Sequence, residues 1–179
     1  MTNFLKIPLW HETDLANVVV ETPRGARAKL TYDSELKCFV MAHALPFGLA
    51  YPHDWGFLPS TKGEDGDPLD ASVLHETQTS PGLVLRCRVT GALKINETTR
   101  KGKVRRNDRF IVVPPDDSRA MLQDVRDLPD KMRAEIETFF AAVVQSAPKS
   151  LEFLGWAGPD EALSLVKQRA TPVRADKPG

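Results

Sequence analysis

Acidic side chains that could bind a metal are concentrated in KGEDGDPLDASVL, residues 62–74. Four carboxylates fall within seven positions there, namely Glu64, Asp65, Asp67 and Asp70. Like charges this close weaken a fold unless the loop spreads them into water or a cation lies among them. Hard divalent cations such as magnesium take oxygen ligands, usually one or two carboxylates completed by water and substrate phosphate. The stretch therefore predicts either a solvated turn, which Asp-Gly-Asp-Pro forms readily, or a metal site.

Two other kinds of metal site are disfavoured. Leu69 and the apolar run after it break the D-x-D-x-D-G pattern of an EF-hand loop. The four histidines lack the close paired spacing of zinc ligands; they are His11, His43, His53 and His75. If the acidic stretch binds a metal, the sequence therefore favours magnesium.

The elements that must position this stretch are mainly strands. Strands are predicted at residues 17–22, 28–33, 37–41, 69–74, 83–95 and 105–114. Gly91 predicts a break in the long strand at 83–95. Residues 44–68 mix Gly, Pro and aromatic residues and predict an irregular segment. A segment of that length is usually functional or disordered, and its aromatic residues argue against disorder.

Two helices are predicted after the strands. The first has an Asp127 cap, Pro129 in its first turn, and apolar residues at helical spacing. Its apolar face around Phe139 and Phe140 could serve a core or an interface between subunits. The second helix begins near Pro159.

These elements predict one α+β domain, residues 1–179, that is mainly β. Its architecture is a five-stranded curved or closed β-barrel, OB-like, with two flanking α-helices. The polar end of the chain, residues 170–179, predicts a flexible tail.

Charge and cysteine content limit the classes of partner. Lys plus Arg and Asp plus Glu both total 24, so no net charge favours nucleic acid or a membrane surface. No apolar run approaches the roughly 20 residues that span a bilayer. Cys38 and Cys87 lack CxxC spacing and lie in apolar, strand-like contexts, which predicts buried free thiols. We therefore expect a soluble cytoplasmic protein that binds neither nucleic acid nor a membrane.

The order of motifs along the chain resembles the soluble family I inorganic pyrophosphatases. The acidic EDGDPLD resembles the family signature built around D-x-D-P-x-D. The other matching motifs, in the family's order, include VVVETP, the AKL strand, AYPHDWGFLPST, PGLVLRCRVTGALKI, DVRDLPDKMRAEIETFF and LGW. The resemblance covers about residues 15–168, which we take as the core of the domain, and shared order over that span is more specific than one motif.

The resemblance implies a fold, a reaction and a cofactor. The family has a compact five-stranded barrel with flanking helices, and its members are often homo-oligomers. Its enzymes hydrolyse pyrophosphate, a small phosphate-containing substrate, to two phosphates. They use several magnesium ions, for which manganese is an alternative.

The resemblance also implies roles for single residues. Asp65, Asp70 and Glu97 would bind metal, and Glu21 would order metal-bound water. Asp67 would act as base on the attacking water, and Lys29 and Tyr51 would assist catalysis. The substrate-binding set would be Lys29, His43, Tyr51, Trp55 and Arg109. Taken alone, Lys29 is typical of an exposed strand lysine and Tyr51 of a half-buried aromatic.

Several positions depart from the family pattern. The chain has Thr31 for Glu, His43 for Arg, Trp55 for Tyr, Glu97 for Asp, Asn107 for Asp, Arg109 for Lys, and Val143-Val144 for a Tyr-Lys pair. Asp108 could replace the charge missing at Asn107 only if a bulge turned it inward. The six basic side chains within residues 100–109 are typical of a solvated hairpin tip, but they could also replace the lost cations.

Three functions stay open on the sequence. The first is a magnesium-dependent pyrophosphatase with a rearranged phosphate pocket. The second keeps the metal chemistry but acts on an organic phosphate or diphosphate, because Val143, Val144 and Trp55 make the pocket more apolar. The third is a weakly active or inactive relic that binds phosphate or a protein partner.

Overall fold

The computed structural model describes residues 3–145 and 147–172. Its strands are β1 Trp10–Glu12, β2 Leu15–Thr22, β3 Ala28–Asp33, β4 Cys38–Ala44, β5 Asp54–Leu58, β6 Leu69–Val73, β7 Val84–Thr99, β8 Val104–Arg106, β9 Arg109–Val113 and β10 Lys149–Ala157. Its α-helices are α1 Asp130–Val144 and α2 Pro159–Gln168, and single 3-10 turns lie at Phe4–Lys6 and Val125–Asp127. Strands are thus present at every predicted position, but β1, β5 and β10 were not predicted. The predicted strand at 105–114 is two strands, because Asn107 and Asp108 interrupt it.

Five strands close into a ring. The hydrogen-bonded order is β2-β5-β6-β9-β7, and β7 pairs again with β2. All of these pairs are antiparallel except β6 with β9. β1 extends the ring at β2, β8 and β10 extend it at β7, and β3 and β4 form a separate hairpin. The prediction of a mainly β fold with a curved or closed five-stranded barrel is confirmed.

Gly and Pro surround β5, so the sequence predicts an irregular segment where the structure has a strand. All five of its residues are buried, and it lies between β2 and β6. A Cβ built on Gly56 would lie 1.9 Å from the carbonyl oxygen of Val19 on β2. Glycine is therefore required for the close approach of two strands, which is one of its ordinary uses within sheets.

The two helices cover separate apolar clusters. Ala162 and Val166 of α2 pack with barrel residues such as Val18 and Phe110. The other cluster, under α1, joins Ile136, Phe139 and Phe140 to Tyr51 and Trp55. Phe139 and Phe140 are only 8% and 7% exposed, so the apolar face of α1 belongs to the core.

Two local predictions are wrong. Helix α1 has Pro129 at its N-cap position without a side-chain cap, and Asp127 lies in the preceding 3-10 turn. The carboxylate of Asp124 caps that turn by accepting from the Arg126 amide. Cys38 is exposed, whereas Cys87 is buried as predicted, and both thiols are free.

The predicted flexible tail at 170–179 lies mostly outside the described residues, which end at Pro172. Ala170 bridges to Thr61, and the amide of Thr171 donates to the carbonyl of Ser60 at 2.8 Å. Neither helix in the described part of the chain is long and apolar enough to cross a membrane.

Candidate active site

Four of the predicted site residues line one cavity of about 210 Å³, the acid cavity. Glu21 comes from the end of β2, Lys29 from β3, Asp70 from the start of β6, and Asp67 from the loop before β6. β2 and β6 belong to the closed barrel, and hydrogen bonds from Leu30, Thr31 and Tyr32 to the end of β2 hold β3 beside it. The acid cavity therefore collects three carboxylates and one ammonium group.

Glu21 is fixed within the acid cavity by two hydrogen bonds. Its Oε1 accepts from the amide of Tyr32 at 2.7 Å and from the hydroxyl of Thr31 at 3.2 Å. Burial raises the pKa of Glu21; the Tyr32 amide opposes that rise, and the charge of Asp70 adds to it. Thr31 thus donates a hydrogen bond to Glu21 from the next strand.

Asp67 lies on an exposed turn that is organised by its own backbone. Its amide donates to Asp65 Oδ1 at 3.1 Å, and its carbonyl accepts from the Gly63 amide at 2.7 Å. Partial desolvation raises the pKa of its carboxyl group, and the charges of Asp65 and Asp70 raise it further. A carboxylate in this state is a better proton acceptor than one in open water.

The donor set of the acid cavity fits a hard divalent cation. Glu21, Asp67 and Asp70 offer carboxylate oxygens. Burial first, and then repulsion from neighbouring carboxylates, raise the pKa of Glu21 and of Asp67, and a cation would relieve that repulsion. Across residues 3–145 and 147–172, no three His, Cys, Asp or Glu side chains are already grouped as a metal site. Water and substrate oxygens would therefore have to complete the coordination shell, as is usual for magnesium.

Asp70 is also paired with a cation of the chain. Arg109 Nη1 donates to Asp70 Oδ2 and, at 2.6 Å, to Asn107 Oδ1. Asp70 and Arg109 meet because they are direct partners in the parallel β6–β9 register. The Arg109 side chain is buried, with its guanidinium carbon 5.2 Å from the Trp55 ring centroid and 5.7 Å from that of Phe140. Paired charge and ring contacts together fix this side chain.

A second cavity of about 70 Å³, the aromatic cavity, adjoins the first through Lys29, which lines both. Its polar lining residues are Lys29, His43, Tyr51, Trp55, Arg109 and Lys149. Its apolar lining residues are Phe139, Phe140, Val143, Val144, Ala147 and Leu151. Lys29 and His43 lie side by side because they are partners in the β3–β4 register. All five predicted substrate-binding residues thus line one cavity.

Tyr51 and Trp55 form the buried wall of the aromatic cavity. Tyr51 is 5% exposed and makes an edge contact with Phe139 at 5.1 Å. Burial, and then the charge of Asp70, raise the pKa of Tyr51, so its hydroxyl stays protonated and able to donate. Trp55 Nε1 is buried without a hydrogen-bond partner in the structure, which is costly for an N–H group.

Asp65 lies apart from the acid cavity. It lines a small neighbouring cavity of about 30 Å³ with Asn107 and Asp108. Asp108 is buried there and accepts from the Ile95 amide at 2.9 Å and from Arg106 Nε at 2.5 Å. Asp108 therefore stabilises the β7 to β9 connection and is not turned into the acid cavity.

Glu97 is also separate from the three acid-cavity carboxylates. Its Oε2 accepts from Lys149 Nζ at 2.8 Å. Both residues line an open groove with Arg100, Lys101, Lys103 and Arg105 of the basic loop. Of the six basic residues in that loop, Arg109 alone reaches the aromatic cavity.

Lys149 is the site residue that sequence reasoning missed. It begins β10, and it lines the aromatic cavity beside Val143 and Val144. It thus supplies a cation to the part of the cavity that Val143 and Val144 make apolar. A signal was present in the alternation of KSLEFLGWA, in which half-buried and exposed positions alternate over the first six residues as in a strand.

A closed barrel that places clustered carboxylates next to a cation-lined cavity has the arrangement of a metal-dependent phosphoryl-transfer enzyme. The family model for inorganic pyrophosphatase matches residues 18–173. The inorganic pyrophosphatase of Synechocystis sp. is 33% identical over 164 residues, covering 91% of this chain and 94% of that protein. The one from Thermus thermophilus is 34% identical over 172 residues, covering 93% and 95%.

Solved structures agree with the sequence comparison. The crystal structure of the Thermus thermophilus inorganic pyrophosphatase matches with a TM-score of 0.83 and 33% identity, and the match covers 93% of this chain and 95% of that one. The Helicobacter pylori enzyme matches with a TM-score of 0.81 and 26% identity, covering 92% and 96%. This chain belongs to the inorganic pyrophosphatase family, as the order of its motifs predicted.

Proposed function

We propose that this protein hydrolyses inorganic pyrophosphate to two phosphates in a reaction that depends on magnesium. The observation that supports the proposal is the junction of the two cavities at Lys29. One phosphoryl group can lie among the carboxylates and a bound cation, while the other extends toward Arg109 and Lys149. Water forms the new P–O bond, and the bridging oxygen leaves with the second phosphate.

Two carboxylates of the acid cavity, Asp67 and Glu21, have a part in this reaction. A bound divalent ion neutralises the substrate and makes a water molecule more acidic. Asp67 accepts the proton of the attacking water, which its raised pKa favours. Glu21, held by Tyr32 and Thr31, orients water at the buried end of the cavity.

The aromatic cavity stabilises the leaving phosphate. Lys29 is shared between the cavities and contacts the substrate at its centre. Tyr51 is held as a hydrogen-bond donor because burial raises the pKa of its hydroxyl. Arg109 and Lys149 supply positive charge, and His43 lies at the exposed edge. Charge placed before the reaction begins is an effective way to stabilise a phosphate leaving group.

Phosphate release across a magnesium titration tests this proposal. Two phosphates per pyrophosphate are expected, with loss of turnover in the presence of a chelator. Asp67→Asn keeps the size of the side chain and removes the base, so its rate should fall by about 100-fold or more. A folded wild-type protein that binds magnesium but releases no more phosphate than Asp67→Asn would refute the proposal.

A second candidate function is hydrolysis of an organic phosphate or diphosphate. The apolar wall formed by Val143, Val144 and Leu151 supports it, because such a wall suits a substrate that carries a carbon group. The same assay on a panel of phosphate monoesters and diphosphate esters separates the two functions. A strong preference for bare pyrophosphate excludes the second candidate.

The proposal also covers the location, the domain, the metal and the assembly of the enzyme. We propose a cytoplasmic location, supported by the unpaired thiols of Cys38 and Cys87. We also propose one domain with its core at 15–168, magnesium with manganese as an alternative, and a homo-oligomer, as is common in the family. Light scattering on the purified protein tests the assembly.

A further inference from the structure

The guanidinium of Arg109 lies between Asp70 Oδ2 and Asn107 Oδ1, where a metal ion bound to both oxygens would have to lie. Its Nη1 donates to both Asp70 Oδ2 and Asn107 Oδ1, the latter at 2.6 Å. A magnesium ion bound by the same two oxygens would need distances of about 2.0–2.1 Å to each. The ion and this nitrogen therefore cannot share the position.

Arg109 is not easily displaced from this position. Its side chain is 7% exposed and lies over the rings of Trp55 and Phe140. Arginine keeps its proton at any ordinary pH, so loss of charge cannot free the space. Movement of Arg109 would also leave a buried charge without Asp70 as its partner, which is strongly unfavourable.

Local charge leads to the same conclusion. At the Arg109 position the charges of Arg109 and Asp70 cancel, and Asn107 is neutral, so a divalent ion would add two uncompensated charges. In the acid cavity Glu21, Asp67 and Lys29 together carry one net negative charge, so a divalent ion there leaves only one uncompensated charge. Coulomb energy thus favours an ion in the acid cavity and disfavours one beside Arg109.

Glu97 is not a free metal ligand either, because a cation of the chain already pairs with its carboxylate. The ammonium of Lys149 is 2.8 Å from its Oε2, and the Glu97 side chain is only 12% exposed. A metal bound at Glu97 would have to displace Lys149 or lie beside it. Two carboxylates that the sequence predicted as metal ligands, Asp70 and Glu97, are therefore already paired with cations of the chain.

We infer that Arg109 is a built-in cation that replaces a second metal ion, so that this chain binds one divalent ion, in the acid cavity. The inference deepens the proposed function, on which its catalytic meaning rests. Arg109 and Lys149 supply the positive charge that further ions would otherwise bring to the substrate. The sequence resemblance had implied several ions.

The test counts ions on the full chain without substrate. Mn²⁺ serves as the probe, with calorimetry for the bound number and electron paramagnetic resonance for free Mn²⁺. Wild type should bind one ion per chain. Arg109→Met with Asn107→Asp removes the cation and adds a carboxylate, and this double variant should bind two. Asn107→Asp alone keeps Arg109 and should bind one.

Arg105→Met is the matched control. It removes the same charge from β8, near the acid cavity, but leaves the Arg109 contacts to Asp70 and Asn107 in place. The number of Mn²⁺ ions bound per chain should stay at one in this variant. Two or more ions on wild type, or one ion on a folded double variant, would overturn the inference. If the double variant does not fold, two ions on wild type or on Asn107→Asp overturn it by themselves.

The count is independent of turnover. A protein that binds one Mn²⁺ and releases no phosphate contradicts the proposed function and leaves the inference standing. A protein that binds two ions and turns over pyrophosphate contradicts only the inference.

Discussion

Lys149 offers a sharp prediction because no motif pointed to it. Replacing it with methionine keeps most of the stem and removes the ammonium group from the aromatic cavity. Its Nζ lies 2.8 Å from Glu97 Oε2, and the Lys149 side chain is 33% exposed. If Lys149 also contacts the substrate, Lys149→Met should weaken binding of pyrophosphate while the chemistry around Asp67 is preserved.

The expected size follows from the exposure of the side chain. A hydrogen bond to a charged group contributes about 1.5–3 kcal/mol. Solvent at a one-third exposed ammonium reduces this to about 1–2 kcal/mol, or about a 5- to 30-fold decrease in kcat/KM. The change should be divided between KM and kcat, because the contact binds the substrate and also stabilises the charge that develops on the leaving phosphate. Stability should change by less than about 1 kcal/mol, as is usual for partly exposed ion pairs.

Steady-state kinetics at saturating magnesium and urea denaturation provide the two measurements. Lys103→Met is the control, because Lys103 lines the open groove beside Glu97 but does not line the aromatic cavity. The reasoning is refuted if Lys149→Met stays within about two-fold of wild type, as Lys103→Met should. Glu97→Gln adds a second check: it should leave magnesium activation nearly unchanged, whereas a metal ligand at Glu97 would shift it markedly.

Three further changes have defined outcomes. Gly56→Ala should destabilise the fold by about 3 kcal/mol or more, measured by urea denaturation, because the new Cβ would lie 1.9 Å from Val19 O. Val144→Lys should lower the KM for pyrophosphate by about 3- to 10-fold in steady-state assays, since it adds a cation to the aromatic cavity. His53 has its pKa lowered to about 4 by burial and then by Arg119 and Arg24, so folding favours its neutral form. That contribution is complete above pH 6.5 and is lost as pH falls toward 4. Between pH 7 and pH 4, the stability of wild type should therefore fall by about 2–3 kcal/mol more than that of His53→Asn.

A different result would contradict each of these three predictions. A Gly56→Ala protein as stable as wild type would show that β2 and β5 can separate at no cost. An unchanged KM in Val144→Lys would mean that the leaving phosphate does not reach the end of α1. Parallel acid unfolding of wild type and His53→Asn would mean that His53 is protonated equally in the folded and unfolded chains.

The acid cavity was largely predictable from the sequence, because its residues lie in local motifs. Asp67 lies in the loop before β6, and Asp70 lies at the start of β6. Glu21 lies near the end of β2 and Lys29 near the start of β3, the next strand along the chain. The barrel was predictable too, since β-type apolar patterns cover most of its strands. Membership of the family followed from the order of these patterns.

The contacts that reshape the site were not predictable, because they depend on pairing between distant strands. Asp70 and Arg109 are 39 residues apart and meet only through the parallel β6–β9 register. Lys149 reaches Glu97 across 52 residues through β10, a strand that was missed. Gly56 looked like a loop residue because its need for close strand approach arises only after β2 and β5 pair.

The most direct test of the account is ³¹P nuclear magnetic resonance of pyrophosphate incubated with the protein and magnesium in ¹⁸O-labelled water. Pyrophosphate should be converted to phosphate, with one labelled oxygen for every two phosphates formed, and a chelator should abolish the conversion. Persistence of pyrophosphate at the level seen with Asp67→Asn, under conditions where wild type is folded and binds magnesium, would contradict the account.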